Sequence, residues 1–111
     1  MNNIPLNIEL LVDEHNEKIT AQIKGEIDYS NYEELSRTNS AILNMQNQYK
    51  TILFDLQFCS LISSNGYGLF YELADTLKKR GKKVKIIFSN ANNLIMKTVR
   101  ILKMDDEFEF I

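Results

Sequence analysis

Apolar and polar residues alternate from Ile4 to Leu10, with Ile4, Leu6, Ile8 and Leu10 set against Pro5, Asn7 and Glu9. A period of two marks a half-buried strand, and Pro5 places it at a sheet edge or at a strand start. The polar run Asp13-Glu14-His15-Asn16-Glu17 interrupts the pattern, which returns as Ile19, Ala21 and Ile23 against Thr20, Gln22 and Lys24. Two short strands around a polar turn predict a hairpin. The runs Ile52-Leu53-Phe54-Asp55-Leu56 and Val84-Lys85-Ile86-Ile87-Phe88 are almost continuously apolar, as expected of central strands covered on both faces.

The period changes between these strands. Ser30-Asn31-Tyr32-Glu33 has the form of a capping box, with the Ser30 hydroxyl accepting from the Glu33 amide and the Glu33 carboxylate reaching back to the Ser30 amide. A helix is expected from there, with Leu35, Ile42 and Met45 near one face, although Asn39 and Asn44 weaken its apolar stripe. Leu69, Phe70, Leu73 and Leu77 recur at helical spacing in a helix beginning near Gly66. It should end at Lys78-Lys79-Arg80, where the dipole favours cations, with Gly81 at the C′ position. The two apolar strands that flank it are expected to be parallel neighbours or near neighbours. A last helix carries Leu94, Ile95, Val99 and Leu102, followed by a short alternating tail with Phe108 and Phe110. The predicted order is strand, strand, helix, strand, helix, strand, helix and a final strand, an α/β fold with a mixed sheet flanked by helices.

A chain of 111 residues points to a single domain over residues 1–111. With 44% hydrophobic residues it can bury a core without disulfide or metal staples. A formal net charge of −2 provides no field for a polyanion, so nucleic acid is not an expected partner. The basic run Lys78-Lys79-Arg80-Gly81-Lys82-Lys83 reads most simply as a helix end in water. No window approaches the ~20 apolar residues of a membrane span. Met1-Asn2-Asn3-Ile4-Pro5 has no basic segment leading into an apolar one, so no membrane association and a cytoplasmic location are expected. Cys59 lies in an apolar stretch and is expected to be a buried structural thiol. A monomer is the expected state.

The segment Leu61-Ile62-Ser63-Ser64-Asn65-Gly66-Tyr67-Gly68-Leu69 joins the end of a predicted strand to the start of a helix, the place where ligands and partners bind in such sheets. Ser63, Ser64 or Asn65 is suited to cap the helix, and first-turn amides stabilise an anion. On local features alone, a capped turn is the simpler explanation. Three segments together resemble the STAS family, in the family's order. Gly25-Glu26-Ile27-Asp28 is similar to its Gly-Glu-aliphatic-Asp segment, and Leu53-Phe54-Asp55-Leu56 resembles its strand ending in Asp-Leu. Ile62-Ser63-Ser64-Asn65-Gly66-Tyr67-Gly68 resembles its aliphatic-Asp-Ser-Ser/Thr-Gly-Leu-Gly signature.

The resemblance implies a bacterial anti-sigma factor antagonist, which binds a partner that is both anti-sigma factor and serine kinase and is reset by a serine phosphatase. By this match Ser64 is the phosphorylated residue, with Ser63 as the alternative. Asp28, Ser63, Ser64, Asn65, Gly66 and Tyr67 would form the partner surface, so replacing Asp28 or Gly66 is expected to weaken binding with little unfolding. Asp28 also fits a simpler role before the first helix, and Asp55 a structural one at a strand end. The sequence departs from the signature at Ser63, where the family has Asp, at Asn65, where it has a small hydroxyl residue, and at Tyr67, where Leu is common. An alternative is therefore a STAS-like binding module without phosphoryl control, which senses a ligand or scaffolds a complex.

Enzymatic readings find little support. Ser64-Asn65-Gly66 supplies only the second half of a Gly-x-Ser-x-Gly elbow, with Ile62 where the first glycine belongs. His15, the only histidine, falls in the predicted hairpin turn. One histidine and one cysteine far apart make no metal set, and the signature lacks the Gly-Lys-Ser/Thr ending of a phosphate loop. No catalytic residue, metal or cofactor is expected.

Overall fold

The computed structural model describes residues 5–46 and 48–111. Its elements run β1 (Asn7–Asp13), β2 (Lys18–Lys24), α1 (Tyr32–Leu43), β3 (Thr51–Phe58), α2 (Ser64–Lys79), β4 (Lys85–Ser89), α3 (Asn93–Ile101) and β5 (Glu109–Phe110). The strands form one sheet in the order β1-β2-β3-β4-β5, antiparallel between β1 and β2 and parallel elsewhere. β1 is an edge strand, in keeping with Pro5, and β3 and β4 are parallel neighbours joined through α2. The first strand begins at Asn7 and continues to Asp13, later than the alternation from Ile4 to Leu10 implied. Ile4 itself lies outside the described residues.

Each helix after β2 links adjacent parallel strands. Crossovers of one hand that advance across a sheet in one direction leave their helices on one face. Burial agrees: Ile19, Ala21, Ile52, Phe54, Ile86 and Phe88 join Leu35 and Ile42 of α1, Phe70, Leu73 and Leu77 of α2, and Ile95 and Val99 of α3 in one core. On the other face Thr20, Gln22, Asp55 and Ile87 are half-buried. The apolar runs of β3 and β4 are therefore covered by helices on one face, not on both. Leu53 is buried outside the main core, flanked across the sheet by Thr20 and Ile87. Phe88 is the aromatic centre, with Phe70 5.1 Å away edge-on and Phe108 stacked at 4.7 Å. These contacts draw the alternating C-terminal tail onto the sheet, where Phe110 pairs with Phe88.

Helix ends follow local chemistry, with one correction. The capping box at Ser30 does not form. Asn31 is the N-cap of α1, and the Ser30 hydroxyl donates to Asp28 Oδ1 at 2.6 Å instead of accepting from Glu33. The nearer Asp28 carboxylate takes the Ser30 N–H that the box would give to the Glu33 carboxylate, and it holds the Ser30 hydroxyl as well. At the end of α2, Gly81 adopts φ 71°, its N–H reaches Lys78 O, and the Lys82 N–H reaches Leu77 O. That is the paired closure of a Schellman motif, with glycine where a left-handed residue is needed. The basic run is exposed, with Lys79 on Asp75 at 2.9 Å, Lys78 near Glu107 at 3.5 Å and Lys82 over the Tyr49 ring.

Leu73 is 1% exposed in the middle of α2. Leu73→Ala is expected to lower unfolding stability by about 2–5 kcal/mol in urea denaturation. A loss below about 1 kcal/mol would mean that α2 does not pack on the sheet as described.

Candidate functional site

The parallel pairing of β2 with β3 continues past the strand ends. Gly25, at φ 104°, donates its N–H to Phe58 O at 2.9 Å. The Ile27 N–H then reaches Leu61 O at 2.9 Å, and the Ser63 N–H returns to Ile27 O at 2.8 Å. Ile27 and Ile62 form an isolated parallel bridge between these bonds. The Gly25–Asp28 segment is thereby held against the residues that open α2.

Gly66 packs directly on this bridge. A Cβ at that position would lie 2.7 Å from Ile62 Cγ2 and 3.0 Å from Ile27 Cγ2, so only glycine permits the approach of the first turn. Gly66 is buried, and so is Tyr67, whose phenol pKa is pushed up by burial and partly lowered by hydrogen bonding to the Thr98 side chain. Neither residue presents a free surface. Their part in the site is to seat α2, which changes the expectation that replacing Gly66 would leave folding largely intact.

The exposed members are Ser64 and, half-buried, Ser63, Asn65 and Asp28. Ser63 is the N-cap of α2 but makes no side-chain cap bond. Its hydroxyl donates instead to Asn65 Oδ1. Two of the three departures from the signature thus satisfy each other, one as donor and one as acceptor. Ser64 is the first residue of α2 and is exposed, beside first-turn amides that lack intrahelical partners by geometry. Asp28 holds its own turn: Oδ1 accepts from the Ser30 N–H and hydroxyl, while the Asp28 N–H donates to Asn31 Oδ1 at 2.8 Å. Hydrogen bonding from Ser30 keeps the Asp28 carboxyl below its ordinary pKa.

Beside this turn a cleft of about 720 Å³ opens at the carboxyl ends of β2, β3 and β4. Glu26, Asp28 and Glu34 lie in its wall together with Asn31, Asn90 and Asn92, and among the described residues no lysine or arginine lines it. Asn90 and Asn92 were not singled out from sequence. Asn92 caps α3 by accepting from the Ile95 N–H at 2.9 Å and donates to Ser60 O at 3.0 Å, tying the third helix to the loop. The polar run Ser89-Asn90-Ala91-Asn92-Asn93 between a strand and a helix was the available signal. Asp55 sits within β3 on the helix-free face, accepting from the Gln57 N–H at 3.1 Å. His15 is exposed in the hairpin turn. Burial raises the Cys59 thiol to about 11, which keeps it protonated and unreactive near neutrality. Among the described residues no group of three or more His, Cys, Asp or Glu is placed to hold a metal, and no helix is long and apolar enough to cross a membrane.

The sequence matches the profile described as STAS domain over residues 9–111. The chain belongs to the STAS domain family. No curated protein matches it by sequence. Its fold is similar to that of an anti-sigma factor antagonist from Mycobacterium paratuberculosis, with TM-score 0.75 and 18% identity over 94% of this chain and 85% of that one. SpoIIAA, described as an anti-sigma factor antagonist and a Bacillus cell fate determinant, is similar in both its forms at 18% identity. The unphosphorylated form gives TM-score 0.71 over 96% of this chain and 88% of that one. The phosphorylated form gives 0.67 over 96% and 91%. A sulfate transporter family protein from Wolinella succinogenes gives 0.69 at 12% identity over 91% of this chain and 82% of that one. The mixed five-stranded sheet with three helices is the STAS fold, as the sequence motifs implied.

Two outcomes follow from this geometry. Gly66→Ala is expected to cost about 1–3 kcal/mol through overpacking on Ile27 and Ile62. Gly68→Ala, where a Cβ meets nothing within 4 Å, should be neutral or stabilise by up to about 1 kcal/mol. Equal effects of the two in urea denaturation would contradict the close approach at Gly66. Asp28→Asn should also be less stable than the parent at neutral pH. Because the folded-state pKa of Asp28 is lowered, its contribution is complete above the ordinary value of 3.8 and is lost as pH falls below it. The stability difference should therefore be flat above pH ~5 and narrow in acid.

Proposed function

We propose that this STAS domain is an anti-sigma factor antagonist that works by phosphorylation-controlled partner switching. In this reading it binds an anti-sigma factor that is also a serine kinase, and so releases a sigma factor. The observation that carries the proposal is the contrast between the two serines. The Ser63 hydroxyl is engaged with Asn65, whereas Ser64 is exposed at the first position of α2. Ser64 is the phosphoacceptor: its Oγ attacks the terminal phosphorus of ATP held by the kinase, ADP leaves, and the hydroxyl proton passes to a base on the kinase. The helix N-terminus tolerates the added charge of about −1.5 to −2, so the fold survives. A partner surface shaped over a neutral serine then meets an unpaired charge, and binding is lost. A serine phosphatase restores the hydroxyl.

The antagonist needs no catalytic group or cofactor of its own, and it acts as a monomer in the cytoplasm. Asp28, Ser63, Ser64 and Asn65 supply the contact surface, while Gly66 and Tyr67 hold it in place from beneath. The acidic cleft beside Asp28 favours a partner whose rim is basic, so the association rate should fall as salt is raised. Ser63 in place of the signature acid favours a second reading, a STAS module that binds a ligand or scaffolds a complex without phosphoryl control. The likeness to a sulfate transporter family protein is consistent with it.

Incubation with the partner kinase and ATP, followed by intact-mass measurement and site mapping, should find one phosphate on Ser64. Ser64→Asp should weaken partner binding by about tenfold or more, equivalent to ~1.4 kcal/mol. Ser64→Ala should bind regardless of ATP. Modification of Ser63, or a Ser64→Asp variant that binds as tightly as the parent, would overturn the switch and favour the second reading.

A further inference from the structure

The helices lie on one face of the sheet, and on the other face the strand registers align outward residues in rows across the strands. Leu11, Thr20, Leu53 and Ile87 form the middle row. Leu11 is 53% exposed, Thr20 and Ile87 are half-buried, and Leu53 is enclosed between its neighbours. Two residues nearer the starts of β2, β3 and β4, about 6.6 Å away, lie Lys18, Thr51 and Lys85, with Asp13 at the β1 end of the row. Two residues the other way lie Glu9, Gln22, Asp55 and Ser89. The helix-free face is therefore an apolar stripe with lysines along one side and carboxylates along the other. Lys85 stands 3.7 Å from Glu109 in an exposed pair that water already weakens.

We propose that two copies of this chain pair face to face across this stripe, with the two-fold axis running along the middle row. Rotation about that axis lays each residue of the stripe on its own counterpart and turns the lysine row of one copy onto the carboxylate row of the other. Asp55 of one copy then falls over Thr51 of the second, between Lys18 and Lys85 of that copy, and symmetry makes the contact twice. A two-fold axis along the strands would instead set lysines on lysines and carboxylates on carboxylates, which charge disfavours. The chosen pairing opposes Glu9 to Asp13 only at the edge strand, where twisted sheets crossing at about 30° splay apart. Asp13 is also held in its own turn, accepting from the Asn16 N–H at 3.1 Å and from Asn16 Nδ2 at 2.7 Å. Four strands about 4.8 Å apart and three rows make a small patch, so the association is weak. The chain is a monomer when dilute, as in the Ser64 switch, and pairs as it accumulates. Ser64 opens a helix on the opposite face and stays accessible in the pair, so the pairing stands or falls separately from the switch.

Sedimentation velocity of the whole chain from about 10 μM to 1 mM, the range over which weak interfaces dissociate, should show monomer giving way to dimer. Raising salt from about 0.05 to 0.5 M should weaken the dimer. Leu11→Asp, which opposes two carboxylates on the axis, should weaken it about tenfold or more. A chain carrying both Lys18→Glu and Lys85→Glu, and a second chain carrying Asp55→Lys, should each stay monomeric alone and form a 1:1 dimer when mixed. Reversal on both sides restores the attraction only in the orientation proposed. Circular dichroism establishes that the variants are folded, and Leu11→Asp, at an exposed position, carries the test if a reversal variant is not. A monomer throughout the range, association unchanged by Leu11→Asp, or no pairing between folded reversal variants would overturn the proposal.

Discussion

The backbone pairing of Gly25–Ile27 with Phe58–Ser63 is the constraint on which the rest of the candidate site depends. Three hydrogen bonds of 2.8–2.9 Å extend the β2–β3 ladder beyond the sheet and lock two chain segments that would otherwise be independent loops. Everything placed after them inherits that lock. Asp28 follows Ile27 by one residue and Ser63 follows Ile62 by one, so the bridge between Ile27 and Ile62 sets the spacing of the Asp28 turn and the start of α2. Gly66 completes the arrangement by letting the first turn of α2 sit on the two bridged isoleucines.

Chemistry is then divided between buried and exposed members of one short segment. Tyr67, Gly66 and Cys59 are buried, and burial raises the pKa of the phenol and of the thiol and leaves both neutral. Ser64 faces outward at the positive end of a helix dipole, a position that stabilises an added anion without rearrangement. The neighbouring carboxylates Glu26, Asp28 and Glu34 keep the adjoining cleft acidic. One end of the sheet therefore combines an anion-tolerant helix start with an acidic hollow, and a partner that covers both must meet two opposite electrostatic demands. Such a surface favours discrimination among partners over raw affinity.

Much of this molecule was legible along the chain. Alternation at Leu6, Ile8 and Leu10 and at Ile19, Ala21 and Ile23 marked the hairpin. Helical spacing of Phe70, Leu73 and Leu77 marked α2, and Gly81 marked its end. The three STAS-like segments indicated the family. These signals are local, because periodicity and capping are settled by residues within a turn or two of one another.

What the tertiary structure alone decided involves residues far apart in sequence. The Ser30 box gave way to the Asp28 turn because a carboxylate two residues away accepts the Ser30 N–H and engages its hydroxyl. The apolar runs of β3 and β4 face helices on one side only, since the direction of successive crossovers, not composition, places the helices. Gly66 proved to be a packing residue because Ile27 and Ile62 meet beneath it, and Asn39 became a buried amide because Leu69 returns across the seam. Sequence by itself determined which elements form and in what order, through the energetics of neighbouring residues. Which side chains those elements bury against one another was decided only by the closed fold, where burial and hydrogen bonding depend on partners tens of residues away.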